Sequence, residues 1–235
     1  MRIAPYSRDE RMRWGVTDVA IALGLFFAAL IVASVLVSPL PPQPAAFIAA
    51  AASYAALFAW CWRASHRRGI GSLASDFGLR FRPVDLAIGL AIGLVARGLS
   101  VLLVVLVTNV TGHVPENGNL VLGDELAWAL VRGILITSLV APFVEELFFR
   151  GLVLRAIRNL GARATASAIV VSTLLFVAMH LWQSTDVTLA IIVGATTLLL
   201  GAANAIVTVT TGRLGPAITA HVVFNASAVV TLVVG

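Results

Sequence analysis

Apolar positions along this chain neither alternate nor gather into one narrow helical stripe; they run on for the length of a membrane crossing. Seven such runs are visible, at 16–37, 45–62, 84–110, 127–149, 164–182, 187–209 and 214–234. Each spans roughly 18–27 residues, and about 20 helical residues cover the ~30 Å of a bilayer's hydrocarbon. The pattern predicts an all-α, polytopic transmembrane helix bundle of about seven spans. Between Val19 and Trp62 no residue is charged, and the only punctuation is Pro39, Pro41, Pro42 and Pro44, which reads as a short turn between two spans. The connection 63–83 holds Gly69, Gly71 and a Ser-Leu-Ala-Ser-Asp stretch, and predicts a short interfacial helix. The connection 111–126, with Pro115, Asn117, Gly118 and Asn119, reads as a polar outer loop. A helical pattern continues from Phe149 to Leu160, so the fourth helix is expected to run past the membrane and turn back at Gly161. No internal repeat and no separate soluble domain fits.

Composition changes this picture little but sharpens its orientation. The chain is 60% hydrophobic and 11% charged, with a mean hydropathy of +0.99, too little charge to cover a soluble surface. The net charge of +5 comes from sixteen basic residues that are all Arg. Arg2, Arg8, Arg11 and Arg13 precede the first span. Arg63, Arg67, Arg68, Arg80 and Arg82 lie between the second and third, Arg150, Arg155, Arg158 and Arg163 at the turn after the fourth, and Arg213 before the last. The alternate loops carry Glu116, Asp124, Glu125 and Asp186 and no Arg. This is the positive-inside arrangement of a multi-pass cell-membrane protein with a cytoplasmic N-terminus and an external C-terminus. Nucleic acid is excluded as a partner, because no soluble face gathers the basic residues beside base-reading side chains. The first run exceeds a typical signal-peptide core and reads as a retained anchor. Cys61, the single cysteine, fits no disulfide or metal spacing and reads as packing.

Charged and strongly polar residues inside spans are costly and so mark candidate chemistry. They are Asp18, Asp85, Arg97, Arg132, Glu145, Glu146, His180, His221 and the amide Asn225. Asp18 and Asp85, at span ends, read as solvated helix-start acids; Arg97 and Arg132 read as structural pairing or snorkelling. In Val144-Glu145-Glu146-Leu147-Phe148-Phe149-Arg150, Glu146 and Arg150 are four apart and can pair. Glu145 points about 100° away round the helix and is left to face something else, as a general base would; a structural ion-pair network is the alternative. Phe176 and His180 share a helix face. Glu145 and His180 lie at similar distances either side of the turn at Gly161, so an antiparallel hairpin brings them to the same height. His221 and Asn225, also four apart, project together into one spot, with Thr219, Asn204 and Thr208 as polar neighbours. His221 lies about 12 Å along its helix from Arg213, shallower than His180 unless the fourth and fifth helices project beyond the membrane. These groups are the inventory for activating a water and holding an oxyanion. Two His and one Glu equally match a catalytic zinc ligand set.

Glu145-Glu146-x-x-x-Arg150, Phe176-x-x-x-His180 and His221-x-x-x-Asn225, in that order and each in a span, resemble the CPBP family of intramembrane proteases. That family includes the type II CAAX prenyl endopeptidases and the bacterial Abi-like proteins. The resemblance covers roughly residues 126–234, dividing the chain into N-terminal transmembrane helices and loops (1–125) and a catalytic core (126–235). It implies a helix bundle, of eight helices where a short one is added, with a polar chamber open to the cytoplasm. It implies Glu145 as the base on water and His180 as its partner. His221 and Asn225 would polarise the scissile carbonyl and hold the oxyanion, with Glu146, Arg150 and Phe176 supporting the site. The chemistry implied is either cofactor-free or uses a divalent metal such as Zn, a metalloprotease arrangement with Glu145, His180 and His221 as ligands. The expected activity is an endopeptidase, a hydrolase cutting a membrane-associated or lipid-anchored peptide or protein. An Arg-only, Ala- and Val-rich chain reads as bacterial, and the expected substrate is then a membrane-associated peptide, a bacteriocin-type leader or a regulatory protein. Other readings are a non-catalytic membrane scaffold or bacteriocin-immunity-type protein, and a proton-coupled transporter, for which matched broken helices are lacking.

Overall fold

The computed structural model describes residues 12–112, 130–161, 163–182 and 184–234. The helices are α1 (Val16–Leu36), α2 (Pro42–Arg68), the short α3 (Leu73–Asp76), α4 (Pro83–Thr111), α5, α6 (Thr165–Leu181), α7 (Val187–Thr211) and α8 (Gly215–Val234). The helix α5 is one continuous rod of four segments, Arg132–Val140, Ala141–Glu146, Leu147–Val153 and Leu154–Arg158. Seven long helices thus lie over the seven apolar runs, and α3 falls in the connection where a short helix was expected. The α5–α6 turn contains Gly161, also as expected. The predicted outer loop at 113–126 and Arg2, Arg8 and Arg11 lie outside the described residues.

The helices α1, α2, α4 and α7 are long and apolar enough to cross a membrane by themselves, and α6 and α8 are shorter apolar helices. Their outward faces carry exposed Val32, Val35, Leu102, Leu106, Val110 and Ile191, a face that only lipid covers without cost. The rod α5 is different: from Val144 to Ala156 every residue is buried, including Glu145, Glu146, Arg150 and Arg155. It runs through the middle of the bundle, walled by α1, α2, α6, α7 and α8. Trp14, Phe77, Leu147, Phe148, Leu152, Phe176 and Leu214 form the core around it.

Proline and glycine set the ends. Pro42 and Pro83 begin α2 and α4, where a missing N–H costs nothing. Gly112 and Gly212 close α4 and α7 in the left-handed region (φ +66° and +72°). Asp18 and Asp85 do start helices, accepting from the Gly15 and Arg82 backbone N–H groups. They are not solvated, however: both are fully buried. Asp18 pairs with Arg68 at 3.0 Å and Asp85 with Arg213 at 2.5 Å, because those arginines close over the carboxylates from the ends of α2 and α7. With Arg155 donating to the Gly212 carbonyl (3.1 Å), these bonds gather the arginine-rich helix ends at one end of the bundle.

A close approach fixes α8 against α4. Gly89 and Gly93 are four apart on α4, and a Cβ on Gly93 would lie 2.6 Å from the Ala220 carbonyl oxygen. Small residues at this spacing let membrane helices meet backbone to backbone. The Gly-x-x-x-Gly pattern was readable in the sequence, but its partner was not.

Candidate active site

Two wide turns of α5 flank the paired glutamates. Over Arg132–Val140 and Leu147–Val153 the backbone bonds step five residues instead of four, with Ala141 N–H donating to the Ile136 carbonyl and Leu154 N–H to that of Phe149. Such π turns recur at functional sites. Pro142 has a consequence here: in this register it would be the donor to the Thr137 carbonyl, and proline has no N–H. Asn225 of α8 supplies what is missing, donating from Nδ2 to the Thr137 carbonyl at 2.7 Å.

Glu146 is the fixed member of the pair. Its Oε1 accepts from His221 Nδ1 (2.9 Å) and from Asn204 Nδ2 (3.0 Å). Its Oε2 lies 3.2 Å from Arg150 Nε, an ion pair without hydrogen-bond alignment. Both charges are fully buried, so each depends on the other for compensation. Arg150 also donates from Nη2 to the Gly201 carbonyl (3.0 Å), and its guanidinium stands 4.5 Å from the centroid of the Phe176 ring. Gly201 makes room for this: a Cβ there would sit 3.1 Å from that ring.

Glu145 points elsewhere, as the helical angle predicts. Its Oε1 accepts from the Tyr54 hydroxyl of α2 at 2.6 Å. Its Oε2 faces two imidazoles, His180 Nε2 at 3.9 Å and His221 Nε2 at 3.8 Å. The opposite nitrogens of both rings are committed. His180 Nδ1 lies 2.8 Å from the Phe176 carbonyl and His221 Nδ1 2.9 Å from Glu146, so each Nδ1 donates and each Nε2 is left facing Glu145. Phe176 packs between them, 4.4 Å from His180 and 5.5 Å from His221 by ring centroids. Exposure is graded: the His180 side chain is 26% exposed, Glu145 11% and His221 3%. The site therefore opens on the His180 side.

Of the residues singled out in sequence, the structure brings together Glu145, Glu146, Arg150, Phe176, His180, His221 and Asn204. Asn225 donates one amide N–H to α5, at the Thr137 carbonyl that Pro142 leaves without a backbone donor. Thr219 bonds the Gly215 carbonyl within its own helix, and the Thr208 hydroxyl is buried without a hydrogen bond; neither reaches the site. The height mismatch of His180 and His221 resolves as a displacement. Glu145 lies about 20 Å along α5 from Arg158, and His221 about 9 Å along α8 from Gly215. Since the two side chains meet, the α5–α6 turn projects roughly 10 Å beyond the start of α8. Tyr54 was missed, since a lone tyrosine in an apolar run carries no pattern.

Among the described residues no group of three His, Cys, Asp or Glu side chains is arranged to hold a metal ion. Glu145, His180 and His221, the set that a zinc reading requires, have Glu145 Oε2 3.9 and 3.8 Å from the two Nε2 atoms, with Glu145 Oε1 bonded to Tyr54. No step is routed through a metal.

Residues 127–227 match the family model described as type II CAAX prenyl endopeptidase Rce1-like. No curated protein and no solved structure shows a significant match to the chain. The matched segment contains α5 to α7 and most of α8, with Glu145, Glu146, His180 and His221 inside it. At the level of that family the activity is proteolysis within a membrane, on a membrane-associated substrate. A buried acid–imidazole cluster on a membrane helix bundle thus lies within a segment, 127–227, that is similar to the Rce1-like type II CAAX prenyl endopeptidases.

Proposed function

We propose that this protein is an intramembrane endopeptidase that hydrolyses a peptide bond in a membrane-associated or lipid-anchored substrate, with Glu145 as the base that activates water. The observation that supports this most is the approach of both imidazoles to one carboxylate oxygen. The Nε2 atoms of His180 and His221 lie 3.9 and 3.8 Å from Glu145 Oε2, too far for direct hydrogen bonds and close enough for one water to bridge. A single water satisfies this arrangement, donating one proton to Glu145 Oε2 and the other to an imidazole Nε2, with its own lone pair left to attack.

In the reaction the water oxygen bonds the scissile carbonyl carbon while Glu145 takes its proton. The carbonyl π electrons move to oxygen, giving a tetrahedral oxyanion. His221, with Nδ1–H held on the ionised Glu146 carboxylate, is the imidazole suited to carry a second proton, at Nε2, and donate toward that oxyanion. Asn225 keeps a second amide N–H for the same task. Collapse breaks the C–N bond, and the proton on Glu145 passes to the departing amine, so the products are a carboxylate and an amine. His180, the most exposed of the three, stands where substrate and water arrive. The arginine-rich end faces the cytoplasm in this reading, and the N-terminus lies there.

The test is cleavage of lipid-anchored and membrane-proximal peptides by the purified full chain in bilayers. Glu145→Gln is expected to lower kcat at least roughly a hundredfold while the protein stays folded by circular dichroism. A Glu145→Gln variant that cleaves at the wild-type rate overturns the mechanism. A wild type that cleaves no peptide favours the non-catalytic scaffold reading instead.

A further inference from the structure

We infer that Tyr54 of α2 is a positioning residue for Glu145, so that the reacting site reaches outside the segment 127–227 into the N-terminal helices. The inference rests on the peptidase reading for its kinetic consequence, though not for the contact itself.

Among the described residues, the Tyr54 hydroxyl makes the one hydrogen bond to the Glu145 carboxylate, at 2.6 Å to Oε1. That is a short hydrogen bond in which the hydroxyl donates and the carboxylate oxygen accepts. The bond divides the two oxygens between two jobs. Oε1 is held from the α2 side, and Oε2 is turned to the two imidazoles. A glutamate has three rotatable bonds, and among the described residues no other hydrogen bond holds its head. Neighbouring Glu146 has three partners for the same purpose, namely Arg150, Asn204 and His221.

Tyr54 is itself well held. Its ring stands 5.6 Å from that of Phe26 in an edge-on pair, and Phe26 is edge-on to Phe27 at 5.4 Å, which meets Trp182 at 6.3 Å. An aromatic chain thus links α1, α2 and the end of α6 on the side where His180 is exposed. Tyr54 acts through Glu145 and not on the reacting atoms, because its hydroxyl is spent on Oε1. Its role is to fix which oxygen meets the water, a geometric service of the kind that a small misplacement forfeits.

Two measurements on the full-length protein test this. The first is the infrared carboxylate band of ¹³C-glutamate-labelled protein, comparing wild type with Tyr54→Phe, and Glu145→Gln with the Glu145→Gln, Tyr54→Phe double variant. A shift in the first comparison and none in the second is expected; no shift in the first overturns the contact. The second is steady-state kinetics. Tyr54→Phe keeps the ring and its packing, so kcat is expected to fall about tenfold with KM within about twofold. An unchanged kcat, or a loss carried by KM alone, overturns the positioning role. If Tyr54→Phe fails to fold, Phe26→Leu, which loosens the tyrosine's support and leaves its hydroxyl, is expected to show a smaller loss of kcat with the same unchanged KM; an unchanged kcat there overturns the role. A wild type that cleaves nothing counts against the peptidase reading and its kinetic corollary together, and the infrared arm still decides the contact.

Discussion

Adjacent Glu145 and Glu146 divide their work because a helix turns about 100° per residue. One step of sequence sends one carboxylate toward Arg150, Asn204 and His221 and the other toward Tyr54 and the open side. The consequences of mutation differ accordingly. Glu146→Ala leaves the Arg150 guanidinium buried and uncompensated, a loss expected to cost about 3–5 kcal/mol. It is read as a lower thermal unfolding midpoint in detergent. Glu145→Gln removes no buried counter-ion and is expected to leave that midpoint nearly unchanged. Equal destabilisation by the two variants would show that both acids are structural. The pairing of Glu146 with Arg150 was legible in their spacing alone. Tyr54 was not, because its meaning lies in where α2 places it, ninety-one residues away along the chain.

Within α5, the proline that widens the helix also creates a need elsewhere. Pro142 leaves the Thr137 carbonyl without a backbone donor, and Asn225 answers from α8. Asn225→Ala is therefore expected to destabilise the protein by about 1–2 kcal/mol through an orphaned carbonyl. Pro142→Ala, which restores an N–H at that position, is expected to recover part of the loss in the double variant. Additive losses in a double-mutant cycle would sever the link between the two residues. The α4–α8 contact belongs with it. Gly93→Leu places a branched side chain where the Ala220 carbonyl and Val223 lie. It is expected to force α8 away and, by moving His221, to abolish cleavage as well as lower stability. Motif spacing alone put His221 and Asn225 on one face of α8; the bond from Asn225 to the Thr137 carbonyl depended on Pro142 and on which helix α8 faces.

Across the bundle, the N-terminal helices and the matched segment are interleaved: α2 reaches Glu145, and α4 holds α8. Residues 126–235 expressed alone are expected to be unstable and inactive, and co-expression with 1–125 to restore folding if the two parts find each other. Orientation is tested at opposite ends. A cysteine at exposed Ser38 is expected to react with an impermeant thiol reagent applied from outside intact cells, and one at Leu160, 73% exposed, only after permeabilisation. Cys61 is fully buried and does not interfere. The reverse labelling pattern would invert the topology read from the arginines.

Run length, hydropathy and the alternation of arginine-bearing loops were enough to specify the helices, the turn containing Gly161 and the membrane. Those features depend on local sequence and on a solvent that penalises every unpaired backbone group. The three motifs likewise named most of the cluster, since residues four apart share a helix face whatever the fold. Burial of Asp18 and Asp85, the use of Asn225, the contribution of Tyr54 and the offset of α5 against α8 are of another kind. Each depends on which helix lies beside which, and at what height. No periodicity within a single helix encodes that; it follows from how side chains and glycines of distant segments pack together.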